Sequence, residues 1–385
     1  MGGNYDETLC CCALNMIFGY EPKISIALIG TLGSAAAVFR LDREGLDAVF
    51  GPYSRHAGKI SGEALDAAGR ELSRVTEAGC TFIGYTDAAY PAMLKECCDA
   101  PAGLYVRTGM DCSSILGDRD MVSVVGTRDV SLYGREWTGR LVSALSGAAS
   151  PPVVVSGLAY GVDYAAHRQA LDSGLHTVAV MATGIDSVYP WRHAALAEEI
   201  VRNGALVTDF PLGTSPVKVN FLRRNRIIAG MGRATVLVES REKGGGMVTA
   251  GLASSYGRDM YALPGRADDV RSAGCNLLLK NKIAEPLCSA SDLLSGLGLK
   301  PGSRPAPLSP EERARKSFEG RVDGRRIESL SSLISMIRRH RGITVDELAA
   351  LSGLPWKEVR ENVGLLECDG LITVDLLQRC SISRG

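Results

Sequence analysis

The residues of this chain best suited to binding an anion lie in three glycine-bearing loops and one basic segment. Val122–Val125 runs into Gly126-Thr127-Arg128. A glycine after a strand lets the backbone approach an anion, and a hydroxyl and a guanidinium add donors. Val153–Val155 runs into Ser156-Gly157-Leu158-Ala159-Tyr160-Gly161-Val162-Asp163. Two glycines four apart open a helix there, and a helix amino terminus favours phosphate. Gly244-Gly245-Gly246 leads into a third such entry, with Thr249 and Ala250 behind it. The basic segment is the most informative. No acid occurs between Asp209 and Glu239, while Lys218, Arg223, Arg224, Arg226 and Arg233 place five cations within 16 residues. That is an anion-binding composition. Phe221 lies among them beside Asn220, and its ring could stack a nucleobase for roughly 1–3 kcal/mol. Arg223 is equally open to pointing away from the strand ends.

Other chemistries lack their residues. No GxGxxG follows the first strand, and Gly58-Lys59-Ile60 has neither the second glycine nor the hydroxyl of a phosphate-binding P-loop. No nucleophile elbow or metal-ligand helix is present. His167 reads as a packing or hydrogen-bonding residue, and Asp163 as a group that orients the Gly157–Gly161 loop. The eleven cysteines contain no CxxC pair, so they read as reduced thiols, mostly buried. Met1–Leu9 carries Asp6 and Glu7 and no basic stretch, and no run of 18 apolar residues occurs. We therefore expect a cytoplasmic protein that uses no metal, nicotinamide or flavin and is not a membrane protein. The net charge of zero hides an uneven distribution: 121–290 hold 18 Lys and Arg against 14 Asp and Glu, whereas 1–120 hold 10 against 16.

The elements that must position these residues fall into three blocks. Residues 1–100 read as a small helical domain, like a sterile alpha motif or helix-hairpin-helix, with Ile24–Leu32, Ala36–Phe39 and Leu65–Val75 as helical stretches. Residues 101–298 alternate strand and helix. The expected strands are Met121–Val125, Val153–Ser156, Thr177–Met181, Ala205–Thr208, Thr235–Glu239 and Met260–Leu263. Trp137, Leu141, Val142 and Leu145 recur at helical spacing between the first two. This alternation implies an α/β fold, a parallel sheet covered on both faces, with ligands beyond the carboxyl ends of its strands. Residues 299–325 carry Pro301, Pro305, Pro307 and Pro310 followed by a charged run, and read as a mobile tether. In 326–385, three helices, a capping box from Thr344 to Glu347 and a hairpin after Asp369-Gly370 read as a winged helix.

At this point the motifs resemble those of the DprA/Smf family. The ordered matches include Gly126-Thr-Arg128, Tyr133-Gly134, Ser156-Gly-Leu-Ala-Tyr-Gly-Val-Asp163, Tyr189-Pro190, Phe210-Pro-Leu-Gly213, Asn220-Phe221, Arg224-Asn-Arg-Ile-Ile-Ala-Gly230, Glu239, Thr249-Ala250 and Pro264-Gly265. The sequence departs from the family in Gly244-Gly245-Gly246, where Ser-Gly-Ser is usual, and in Leu222, where Pro is usual. The resemblance implies a non-enzymatic protein that binds incoming single-stranded DNA in natural transformation and helps load the RecA recombinase. It also implies a homodimer formed through the Rossmann-like domain, no cofactor, and DNA held by Arg128, Lys218 and Phe221. With the loops above, the expected DNA-binding set is Gly126, Thr127, Arg128, Ser156, Gly157 and Lys218, together with Asn220, Phe221, Arg224, Arg226, Gly245, Gly246 and Thr249. Two other readings compete. One is a nucleotide-cleaving enzyme of the lysine-decarboxylase-like type, using Glu239. The other is a ligand-sensing regulator reading duplex DNA through the winged helix, although its 355–368 helix carries Glu358, Glu361 and Glu367 beside Lys357 and Arg360.

Overall fold

The computed structural model describes residues 6–302, 309–340 and 342–382. These form two compact units, one up to residue 302 and one from residue 309.

The first unit is built on a nine-stranded sheet: β1 (Thr81–Gly84), β2 (Gly103–Thr108), β3 (Met121–Val125), β4 (Val153–Ser156), β5 (Thr177–Val180), β6 (Gly204–Thr208), β7 (Ala234–Leu237), β8 (Asp259–Ala262) and β9 (Glu285–Pro286). The order is β1-β2-β6-β5-β4-β3-β7-β8-β9. The six expected strands are β3 to β8, each within two residues of its expected bounds. All are parallel, and β3 to β7 are short, mostly apolar runs rich in Val and Ala and buried on both faces, as a covered parallel sheet requires; in β8, Asp259 is exposed and Met260–Ala262 are buried. The helices Leu132–Leu145 and Val162–Asp172 cover one face: Leu141, Val142, Leu145 and Ala166 pack on Val122, Val124 and Val154. The helices Lys218–Met231 and Gly245–Ser255 cover the other, where Ile227, Ile228, Ala250 and Ala253 meet Val125, Val153 and Val155.

Two expectations need correction here. Residues 1–100 are not wholly helical and do not form a separate body. β1 lies inside that range and pairs antiparallel with β2, which pairs antiparallel with β6. The helix Glu7–Phe18 buries Cys10, Cys11, Cys12 and Leu14 in one cluster with Phe82, Tyr105 and Leu206 of the sheet. Burial pushes the Cys10 and Cys12 thiols up to about 12, so they are inert packing groups. The second correction concerns the tether. Residues 303–308 lie outside the described residues, but Pro310–Phe318 is a helix with a capping box between Ser309 and Glu312. Its Ala314 and Phe318 are buried with Leu330, Ile334 and Leu366, so this stretch belongs to the core of the second unit. That unit continues with the helices Gly324–Arg339, Val345–Ser352 and Trp356–Cys368 and the antiparallel pair β10 (Ile372–Val374) and β11 (Cys380–Ile382). Thr344 and Glu347 form the expected capping box.

The topology singles out one crevice. From β3 the chain moves to β4, β5 and β6 on one side, then returns to β7, β3's other neighbour, and continues outward to β8. The helices that follow β3 and β7 lie on opposite faces, so the carboxyl ends of these two strands part and leave a cleft.

Candidate nucleic-acid interface

The cleft is a cavity of about 330 Å³ at the ends of β3 and β7. Its lining includes Gly126, Thr127 and Arg128 from the β3 loop, Phe221 and Arg224 from the helix Lys218–Met231, and Gly245, Gly246 and Thr249 from the helix Gly245–Ser255. Residues separated by more than a hundred positions thus share one wall. Arg128 is exposed, has no ion-pair partner among the described residues, and sets its guanidinium 5.2 Å from the centre of the Phe221 ring. A cation over an aromatic face is attracted by the ring quadrupole. Phe221 is half-buried, with Tyr189 packed edge-on at 5.5 Å.

The floor is cationic. Arg224 is buried, and burial lowers its pKa to about 10, which leaves it charged at neutral pH. It donates from Nη1 to Gly157 O at 2.6 Å and to Val180 O, while its Nε has no hydrogen-bond partner. Burial also raises the Asp163 pKa, opposed by the Arg224 charge. Arg241 adds a third cation at the rim. The amides of Gly245 and Gly246 head an 11-residue helix, where no preceding helical carbonyl can reach them. They and the helix dipole favour an anion at this wall.

Sterics keep the loops this close. A Cβ on Gly126 would lie 2.5 Å from Val162 Cγ2. Gly161 has φ +80, and a Cβ there would strike Thr127 O. Thr127 donates from its amide to Glu239 O at 2.7 Å and accepts at its carbonyl from the Val162 amide at 3.2 Å, which ties the β3, β4 and β7 loops together.

Several expected site residues face elsewhere. Ser156 is fully buried and donates from Oγ to Val124 O at 2.6 Å. Gly157 faces the Arg224 guanidinium, not the cleft. In the first turn of the Val162–Asp172 helix the Val162 amide is taken by Thr127 O and the Tyr164 amide by Ala159 O. Asp163 orients this loop as expected, accepting from the Ala159 amide at 3.3 Å. Asn220 is buried and donates to Ser215 O at 3.3 Å, pinning the preceding loop. Arg226 is buried in an ion pair with Asp209 and also donates to Asp99 O, and it lies outside the cleft lining. Arg223 turns away to Gly19 O and the Tyr20 ring. Lys218 is exposed at the first position of its helix, one turn before Phe221, and lies outside the cavity lining. The sequence reading missed Arg241 and Tyr189. Arg241 sits beside the glycine run, and Tyr189-Pro190 was among the motifs, so both were within reach.

Glu239 is fully buried and receives the Ser131 amide at 2.9 Å and the Ser131 hydroxyl, capping the Leu132–Leu145 helix. His167 is also fully buried. The Thr177 hydroxyl donates to Val154 O, so His167 Nδ1 must be the donor in its 2.7 Å bond to Thr177 Oγ1. Burial lowers its pKa to about 3, with the nearby Arg224 charge acting in the same direction. The folded protein therefore holds this ring neutral while the unfolded chain protonates it near 6.5. Stability should fall as pH drops from about 6.5 towards 3, at about 1.4 kcal/mol per pH unit from this group alone. His167→Asn keeps a donor to Thr177 and removes the titration. Denaturant titrations should show wild type losing its stability advantage over the variant across that window; parallel pH curves would refute the assignment.

These features define a doubly wound, Rossmann-like α/β protein whose cleft edge combines cations, helix-head amides and a half-buried aromatic. The family model described as DNA recombination-mediator protein A matches residues 81–298, more than half of the chain, and the chain belongs to that family. It is 37% identical to Protein Smf of Synechocystis over 220 residues, covering 57% of this chain and 54% of that protein. It is 38% identical to the putative DNA processing protein DprA of Mycobacterium tuberculosis over 256 residues, covering 65% and 61%. The chain thus spans less than two thirds of the length of these relatives. The X-ray structure of DprA from Streptococcus pneumoniae is similar with a TM-score of 0.60 and 29% identity, over 71% of this chain and 92% of that one. Among the described residues no helix is long and apolar enough to cross a membrane.

Proposed function

We propose that the cleft at the β3 and β7 ends binds single-stranded DNA, and that the protein is a recombination mediator rather than an enzyme. The observation that carries this reading is the pairing of exposed Arg128 with the Phe221 ring at the mouth of a cationic cavity. A phosphate can sit between Arg128 and the Gly245–Gly246 amides, with Arg224 supplying charge from below. The neighbouring base can stack on Phe221, which a duplex would not permit without unpairing. Lys218, exposed one turn away, extends the phosphate track. The family description supports a place in DNA recombination. On this reading the protein acts in the cytoplasm as a homodimer, protects incoming DNA in natural transformation and hands it to RecA. The second unit, three helices and a hairpin after a leading helix, is read as a winged helix.

The nucleotide-cleaving alternative loses its base, because both carboxylate oxygens of Glu239 are engaged by Ser131 in a fully buried setting. The test is a gel shift with matched single- and double-stranded DNA over a salt series. We expect tighter binding to the single strand and affinity that falls steeply with salt, as counterions are released from neutralised phosphates. Equal affinity for duplex, or binding indifferent to salt, would contradict the proposal.

A further inference from the structure

An unused aromatic surface adjoins the cleft. Of the six exposed aromatic side chains described in the first unit, four lie between residues 160 and 191: Tyr160, Tyr164, Tyr189 and Trp191. All four follow β4 or β5, at the same sheet edge as the cleft. They are arranged on a built support. His193 is buried and donates from Nδ1 to Leu158 O at 2.8 Å, which fixes its ring. Tyr160 packs on it at 4.8 Å, edge to face, and Tyr164 at 4.9 Å, tilted. Yet these two tyrosines remain 42% and 41% exposed. Trp191 is 74% exposed, with the Arg192 guanidinium 5.6 Å from its ring. Tyr189 joins this surface to the cleft through its 5.5 Å contact with Phe221.

We propose that Tyr160, Tyr164 and Trp191 form a second stacking subsite, which takes bases of the same single strand beyond the one held at Phe221. The inference rests on the single-strand reading of the cleft. Three observations favour nucleobases over a protein partner. The surface continues from the cation–aromatic pair of the cleft. Between residues 157 and 193 its exposed large apolar side chains are all Tyr or Trp, with no Leu, Ile, Val, Met or Phe among them. Its acids are engaged: Asp163 is buried, Asp172 pairs with Arg168, and exposed Asp186 accepts from the Gly213 amide. Every base presents a π-face, so an aromatic row with cations suits a strand of any sequence.

The test uses the full chain with three probes: a short oligothymidylate that fills only the cleft, a long one, and a long one whose distal half is abasic. Wild type should bind the long oligomer more tightly than the short and lose that gain with the abasic one. Tyr160→Ala/Tyr164→Ala and, separately, Trp191→Ala should weaken long-oligomer binding by about ten-fold while leaving the short unchanged. Tyr160→Phe/Tyr164→Phe, which keeps the rings, should behave as wild type. Trp191 is too exposed for its loss to unfold the chain, so its variant remains decisive if the double variant is unstable. Unchanged long-oligomer affinity in the alanine variants, or tight binding of the abasic oligomer, would overturn the subsite and leave the patch to a protein partner. Wild type that binds neither intact oligomer would instead overturn the single-strand reading itself.

Discussion

Arg226→Ala should cost about 3–5 kcal/mol of folding stability, the loss expected when one member of a buried ion pair is removed. Arg226 and Asp209 are both nearly inaccessible and bonded to each other. Arg226 also satisfies Asp99 O, linking the helix Lys218–Met231 to the turn before β2. Truncation leaves the Asp209 carboxylate buried without its bonded counter-charge, with one oxygen, Oδ1, already lacking a partner. Adding Asp209→Asn to Arg226→Ala removes that stranded charge and should recover part of the loss. The check is the urea midpoint of the first unit's transition in the full chain. A midpoint unmoved by Arg226→Ala would mean that the pair contributes nothing. DNA affinity of the folded fraction should stay near the wild-type value, because Arg226 does not reach the cleft.

Phe221→Ala should do the opposite: hold the fold and weaken single-strand binding by roughly 1–3 kcal/mol, about 5- to 150-fold. Phe221 is half-buried and its ring meets Arg128 and Tyr189 at the cleft mouth. Stacking releases no counterion, so the dependence of affinity on salt should be almost unchanged. Fluorescence anisotropy with a labelled oligomer reads both quantities. An unfolded variant would make Phe221 a core residue; full affinity would remove it from the interface.

Much of this fold is legible in the sequence, because short, mostly apolar runs that alternate with helical stretches mark its parallel strands. The strands β3 to β8 follow from that signal alone. β1 and β2 do not: Thr81–Gly84 sits among helical patterns, and antiparallel pairing at the sheet edge depends on tertiary contact with β6. The helix Pro310–Phe318 is hidden by its charge, since only Ala314 and Phe318 of its nine residues are buried. The site was legible in part. Arg128, Phe221, Gly245, Gly246 and Thr249 converge on one cavity, as loops at one edge of a parallel sheet must. Composition could not sort the basic segment, because Arg223, Arg224 and Arg226 point in three directions around a helix. One cation meets the N-terminal helices, one forms the cleft floor and one is buried against Asp209. Burial, not residue type, separates a phosphate ligand from a structural cation.

The central claim is that Arg128 holds a phosphate in the cleft while Phe221 holds a base. The most direct measurement is the slope of log affinity against log salt for single-stranded DNA, in wild type, Arg128→Ala and Phe221→Ala. Removing Arg128 should weaken binding and reduce the slope by about 0.7, the share of one phosphate contact on a single strand. Removing Phe221 should weaken binding with the slope preserved. An Arg128→Ala protein that binds as tightly as wild type with an unchanged slope would contradict the account.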